Sequence, residues 1–184
     1  MPKRALVVID MLNDFLRDWE KVQAAALISK TNELVRAFRQ AGAPVVWVRQ
    51  AFKPDLSDAF LEMRDKGTAI TIEGTDGARI HSGLERHADD IVIIKKRYSA
   101  FFGTNLDEVI AAAGIDELVL CGVNTHACIR IAAIDAYQRD IRVVLASDCV
   151  SSYDEEHARV SLAYMDGKIA RVAGNADIIR SLNE

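Results

Sequence analysis

Short runs of consecutive apolar, largely β-branched residues alternate along the chain with longer stretches whose apolar positions keep a helical period. The runs are 5–9, 44–48, 91–94, 118–121, 143–146 and 169–172. Apart from Arg171 in the last, each is apolar on successive residues rather than on alternate ones, which predicts strands covered on both faces. Between the first two, Ala24, Leu27, Ile28, Thr31, Leu34, Val35 and Phe38 keep helical spacing across 21–41, and Gly42 stops that helix before Pro44 opens the next strand. Residues 106–113 (ending at Gly114), 126–138 and 154–165 repeat the theme. This alternation predicts an α/β fold, a three-layer α/β/α sandwich around a mostly parallel, doubly wound sheet. The least regular stretch, 55–77, is polar and glycine-containing, and is expected to be a lid or an edge excursion.

Composition narrows the classes. The 184 residues fit one domain over 1–184, with no linker and no internal repeat. The 23 Lys and Arg against 27 Asp and Glu leave a formal charge of −4, so no basic face for nucleic acid or an anionic membrane is expected. No apolar run approaches the length of a membrane span. The start, with two basic residues before a short apolar run, mimics a signal peptide. That run reaches Asp10 without a small-residue cleavage site and reads as a buried strand. Three cysteines, an odd number, point to free thiols and a cytoplasmic setting.

In a doubly wound sheet the ligand lies beyond the carboxyl ends of the strands, near the switch point. Asp10 follows the first strand, Arg49 and Gln50 the second, Lys95 the third, residues 122–128 the fourth and Ser147-Asp148-Cys149 the fifth. Asp10 alone reads either as a helix N-cap for 11–15 or as an acid at the site, although Asn13 and Asp14 serve as caps equally well. Lys95 reads either as part of a solvated charge cluster with Lys96 and Arg97 or, beside a thiol, as the cation that lowers its pKa. Cys128 falls in the first turn of a helix starting near Thr125, where unpaired N–H groups favour a thiolate; its other reading is a buried structural thiol. The structural reading suits Cys121 and Cys149.

The segments Val8-Ile9-Asp10-Met11-Leu12-Asn13-Asp14-Phe15, Glu73-Gly74-Thr75-Asp76-Gly77-Ala78 and Asp90 through Phe101 together resemble the isochorismatase-like cysteine hydrolases. Gly103-Thr104, Gly122-Val123-Asn124-Thr125-His126-Ala127-Cys128 and Ser147-Asp148-Cys149 continue the resemblance in order, over nearly the whole chain. Relatives of this kind include nicotinamidases, N-carbamoylsarcosine amidases, ureidoacrylate amidohydrolases and biuret hydrolases. The resemblance implies a six-stranded sheet and a homodimer or homotetramer. It implies a catalytic triad of Asp10, Lys95 and Cys128, a cis peptide between Val123 and Asn124, and an oxyanion hole from the N–H groups of Asn124 and Cys128.

Two departures narrow the chemistry. Nicotinamidases carry an Asp-x-His pair after the second strand that helps to hold a metal. Here that strand runs Trp47-Val48-Arg49-Gln50-Ala51-Phe52, and His81, His87, His126 and His157 show no ligand spacing, so neither metal nor cofactor is expected. True isochorismatases, which cleave a vinyl ether, lack a nucleophilic cysteine, although Gln50 aligns with a pocket glutamine of that branch. The sequence therefore predicts a cysteine-dependent amidohydrolase of a small amide, carbamoyl or ureido compound. An isochorismatase-type ether hydrolase and a non-catalytic ligand-binding member are the alternatives. No G-x-G-x-x-G follows any strand, which argues against a dinucleotide enzyme. Phe15, Arg49, Gln50, Tyr98, Phe101 and His126 are the substrate-binding candidates, with Arg49 suited either to a substrate carboxylate or to a salt bridge.

Overall fold

Runs that are apolar on both faces need cover on both sides, and a layered α/β arrangement supplies it. The computed structural model describes residues 2–182. In chain order the elements are β1 (Arg4–Ile9), α1 (Asn13–Leu16), α2 (Lys21–Gln40), β2 (Val45–Gln50), α3 (Leu61–Lys66), β3 (Ile91–Lys95), α4 (Leu106–Ala113) and β4 (Glu117–Val123). A π-helical turn, Thr125–Ile129, then leads into α5 (Arg130–Tyr137), followed by β5 (Arg142–Ser151), α6 (Glu155–Met165), β6 (Arg171–Ala173) and α7 (Asn175–Leu182).

The six strands form one parallel sheet in the order β3-β2-β1-β4-β5-β6. The chain winds outward from β1 to β3, then restarts at β4 and winds the other way. The connections leaving β1 and β4 therefore diverge, which opens a crevice at their carboxyl ends. Register fixes what faces what there: Ile9 lies opposite Gly122 and Val48, so Asp10 leaves β1 between the exits of β2 and β4.

Each sheet face has its own core. On one side Val7, Ile9, Val46, Val48 and Ile93 pack with Leu106 and Ile110 of α4, with Ala132 and Ala136 of α5, and with Met165 of α6. On the other, Leu6, Val8 and Trp47 pack with Leu27, Leu34 and Phe38 of α2 and Ile178 of α7. The expected burial of 91–94 on both faces does not hold, because β3 is the sheet's edge. Ile91, Val92 and Ile94 are 42%, 38% and 38% exposed. A run of consecutive apolar residues does not distinguish an edge strand from a central one. The sequence reading also passes over α3 and α7, since one lies inside the irregular 55–77 stretch and both are short.

One close approach shapes the crevice. Gly122 has φ of +120°, and a Cβ there would stand 1.9 Å from the carbonyl oxygen of Ile9. Only glycine lets β4 lie this tightly against the end of β1 in that conformation.

Candidate active site

Three strand ends deliver three chemically different groups to one buried point. Asp10, just past β1, adopts φ of 56°, a left-handed conformation that aspartate tolerates better than most side chains. Its N–H donates to Val48 O at 2.8 Å, while its Oδ1 accepts the N–H of Gln50 at 2.8 Å. The acid thus straddles the end of β2 and does not cap α1, whose N-cap is Leu12. Lys95 closes β3 with its side chain fully buried, and its Nζ lies 2.7 Å from Asp10 Oδ2. The same ammonium donates to Cys128 Sγ at 3.3 Å and to Arg97 O at 3.0 Å. Lys95 is therefore no solvated edge residue. Its three donors serve a carboxylate, a sulfur and a main-chain carbonyl.

Cys128 arrives from the opposite half of the sheet. The Val123–Asn124 peptide is cis, and Asn124 O accepts from the N–H groups of Ala127 and Ile129, which closes the π-helical turn. Burial and the Asp10 charge push the Cys128 thiol up to about 12, while the Lys95 ammonium pulls it the other way. The expectation that Lys95 and a helix start lower this pKa thus meets two stronger opposing effects. Burial works against the Lys95 ammonium too, but the neighbouring Asp10 and Cys128 outweigh it and hold its pKa above the ordinary value. The resting pair is a neutral thiol beside an ammonium, and making a thiolate requires a nearby acceptor for its proton. Asp10 is in place for that: it pairs with the same ammonium and shares a side-chain hydrogen bond with the thiol. Cys121 and Cys149 are free and fully buried. Burial raises both of their pKa values, Cys149 to about 12, and neither has a cationic partner of this kind.

The substrate-binding candidates are distributed differently. Gln50 is buried, on the same face of β2 as Val46 and Val48, the face that packs with Cys128. Arg49, one residue earlier, alternates onto the face of Val45 and Trp47, where its Nη1 donates to Ala78 O at 3.2 Å. Phe15 packs half-buried against that second core, and Phe101 is buried within the first, beneath the guanidinium of Arg139. Tyr98 is half exposed and stacks on Phe60 at 5.0 Å between centroids. His126 turns to the link between β5 and α6, with its Nδ1 2.6 Å from Ser152 Oγ and its ring edge-on to Tyr153. Of the six, Gln50 is tied to Asp10 by a hydrogen bond, and that bond comes from its main chain.

The 55–77 stretch is a fastened strap over the ends of β1, β2 and β3. Asp58 pairs with Lys96 at 2.8 Å, Arg97 donates to Asp58 O at 2.9 Å, and Phe60 stacks with both Phe52 and Tyr98. Asp14 Oδ2 accepts the N–H of Thr71 at 2.7 Å, and Thr71 O accepts that of Phe52 at 2.9 Å. The carbonyl of Arg97 and the N–H of Gln50 hold Lys95 and Asp10 in place, yet neither could be read from sequence. They are main-chain groups that every residue type carries. Among the described residues, no three His, Cys, Asp or Glu side chains are grouped to hold a metal, and no helix is long and apolar enough to cross a membrane.

Known proteins share this layout. A probable inactive nicotinamidase of Arabidopsis thaliana is 34% identical over 161 residues, covering 83% of this chain and 82% of its own. The crystal structure of an isochorismatase family protein from Desulfovibrio vulgaris superposes with a TM-score of 0.90 at 29% identity, over the full length of both chains. That of N-carbamoylsarcosine amidase from Thermoplasma acidophilum does so with a TM-score of 0.79 at 32% identity, over 94% of this chain and 96% of the other. The isochorismatase domain model matches residues 4–177, and the chain belongs to the isochorismatase family of hydrolases.

Proposed function

We propose that the protein is a cysteine-dependent amidohydrolase that cleaves a small amide, carbamoyl or ureido compound through a thioester. The observation that carries this reading is the buried cluster in which one ammonium touches both Asp10 Oδ2 and Cys128 Sγ. Asp10 takes the thiol proton as general base, and Lys95 holds the resulting thiolate. Sulfur attacks the substrate carbonyl carbon, and the N–H groups of Asn124 and Cys128 receive the oxyanion. As the tetrahedral species collapses, the C–N bond breaks and Asp10 returns its proton to the departing ammonia or amine. Water, deprotonated by the same carboxylate, then attacks the thioester. The acid or carbamate product leaves, and the proton goes back to sulfur.

A neutral resting thiol suits this sequence of steps. The nucleophile is generated beside the bound carbonyl, while Lys95 remains charged throughout. The 32% identical amidase structure supports the amide class, and the thiol itself supports it over vinyl-ether cleavage, which needs no nucleophile. A small-molecule substrate, a cytoplasmic location and no nucleic-acid or membrane partner belong to the same reading. The test is ammonia release from a panel of primary amides, ureas and carbamoyl amino acids, with Cys128→Ala as the control. Release that Cys128→Ala abolishes is expected. Ammonia release that survives this substitution overturns the nucleophile, and cleavage of an enol ether without ammonia overturns the reaction class.

A further inference from the structure

The turn of Arg49 away from the triad leaves it in a setting of its own. On the far face of β2 it lines a cavity of about 520 Å³ together with Arg79, Arg86, Gly74, Thr75 and Val92, and no carboxylate contributes to the lining. Three arginines line it in a chain whose formal charge is −4, so the local excess is not a reflection of overall composition.

Two of them donate to main-chain carbonyls rather than to acids. Arg49 is half-buried, and its hydrogen bond to Ala78 O occupies one of its two terminal nitrogens. Arg86 donates to His87 O at 3.0 Å. Among the described residues neither has a carboxylate within ion-pair distance, and Arg79 meets only the exposed Asp76, at 3.6 Å. Arg4, Arg39 and Arg139, by contrast, each lie against an acidic side chain. A half-buried guanidinium without a counter-charge carries a desolvation cost that a bound anion offsets.

We propose that this cavity is an anion site, separate from the Asp10–Lys95–Cys128 cluster, for a small molecule bearing a phosphoryl group. Each guanidinium presents a planar fork of donors that matches two oxygens of an oxyanion. Three forks outnumber the two oxygens of a carboxylate, whereas a phosphoryl group offers three or more. The volume falls in the range of small-molecule sites, roughly 300–1,000 Å³, and so admits more than the phosphoryl group itself.

Titration calorimetry with pyrophosphate and with ADP, at constant ionic strength, tests the site without reference to any enzymatic activity. Saturable binding of one equivalent is expected from at least one of the two. Binding of ADP alone assigns the site to a nucleotide, and equal binding assigns it to the phosphoryl group as such. Arg49→Gln and Arg86→Gln should each weaken binding by about tenfold, the loss of one charge-assisted hydrogen-bonded contact. Arg180→Gln, on α7, should leave it unchanged. Arg86 is exposed, so its variant tests the site even where loss of the more buried Arg49 unsettles the fold. No saturable heat from either compound overturns the proposal. So does unaltered affinity in Arg86→Gln, or equally tight binding of the dicarboxylate malonate.

Discussion

At Cys128 two neighbours pull in opposite directions, which separates ionisation from catalysis. The Asp10 charge raises the thiol pKa and the Lys95 charge lowers it. Asp10→Asn should therefore make Cys128 easier to ionise, while turnover falls by several orders of magnitude because an amide cannot accept the thiol proton. Lys95→Ala should raise the thiol pKa further, with slower alkylation near neutral pH and a severe loss of activity. Rates of iodoacetamide labelling against pH, measured beside ammonia release, check both signs. Faster labelling in Lys95→Ala would mean that the ammonium does not serve the thiolate. In the wild-type protein Cys128 should label before Cys121 and Cys149, since it alone of the three retains some exposure and touches an ammonium. Peptide mapping after brief treatment reads that order.

At the scale of elements, the site depends on how closely β4 lies against β1. Gly122→Ala would place a methyl group 1.9 Å from Ile9 O in a backbone conformation that side chains rarely adopt. The combined overpacking and strain should cost on the order of 3–5 kcal/mol. Urea denaturation should show a lowered midpoint with little change in slope. Activity should fall further than stability alone explains, because the same displacement separates Cys128 from Lys95. A Gly122→Ala protein with wild-type stability would show that the two strand ends have slack. The strap is the complementary case. Its contacts are an ion pair, a hydrogen bond from the Arg97 guanidinium to Asp58 O and ring stacking that join 55–77 to the residues directly after Lys95. It is therefore held against the sheet rather than swinging free as a lid.

For the whole molecule, one edge of the sheet leaves apolar side chains exposed. β3 exposes Ile91, Val92 and Ile94 along a strand with only one neighbour. Exposed apolar edge strands are either protected or used for association. We expect copies of the chain to associate, as the family resemblance implied, with this edge contributing to the contact. Light scattering should give a mass of two or four chains, and a variant carrying both Ile91→Lys and Ile94→Lys should shift towards the single chain. A wild-type protein that stays monomeric at all concentrations would show that the edge is tolerated as it stands.

The layered fold was legible because it rests on local, repeating signals. Consecutive apolar residues mark the strands, helical spacing marks α2, and the residue after each strand names the chemistry at its end. Asp10, Lys95 and Cys128 could be nominated as neighbours that way, because parallel strands bring all their carboxyl ends to one side, and the family resemblance then singled them out. What the tertiary structure decided is where the neighbouring side chains point and what environment they meet. Arg49 and Gln50 are adjacent in sequence, yet the pleat sends one to a cavity of arginines and the other to the triad's face. Phe101 and His126 lie near the right segments but are claimed by the core and by Ser152. The net rise of the Cys128 pKa is decided in the same way. Its cation could be named from sequence, but the extent of burial and the nearness of Asp10 exist only once distant segments have packed together.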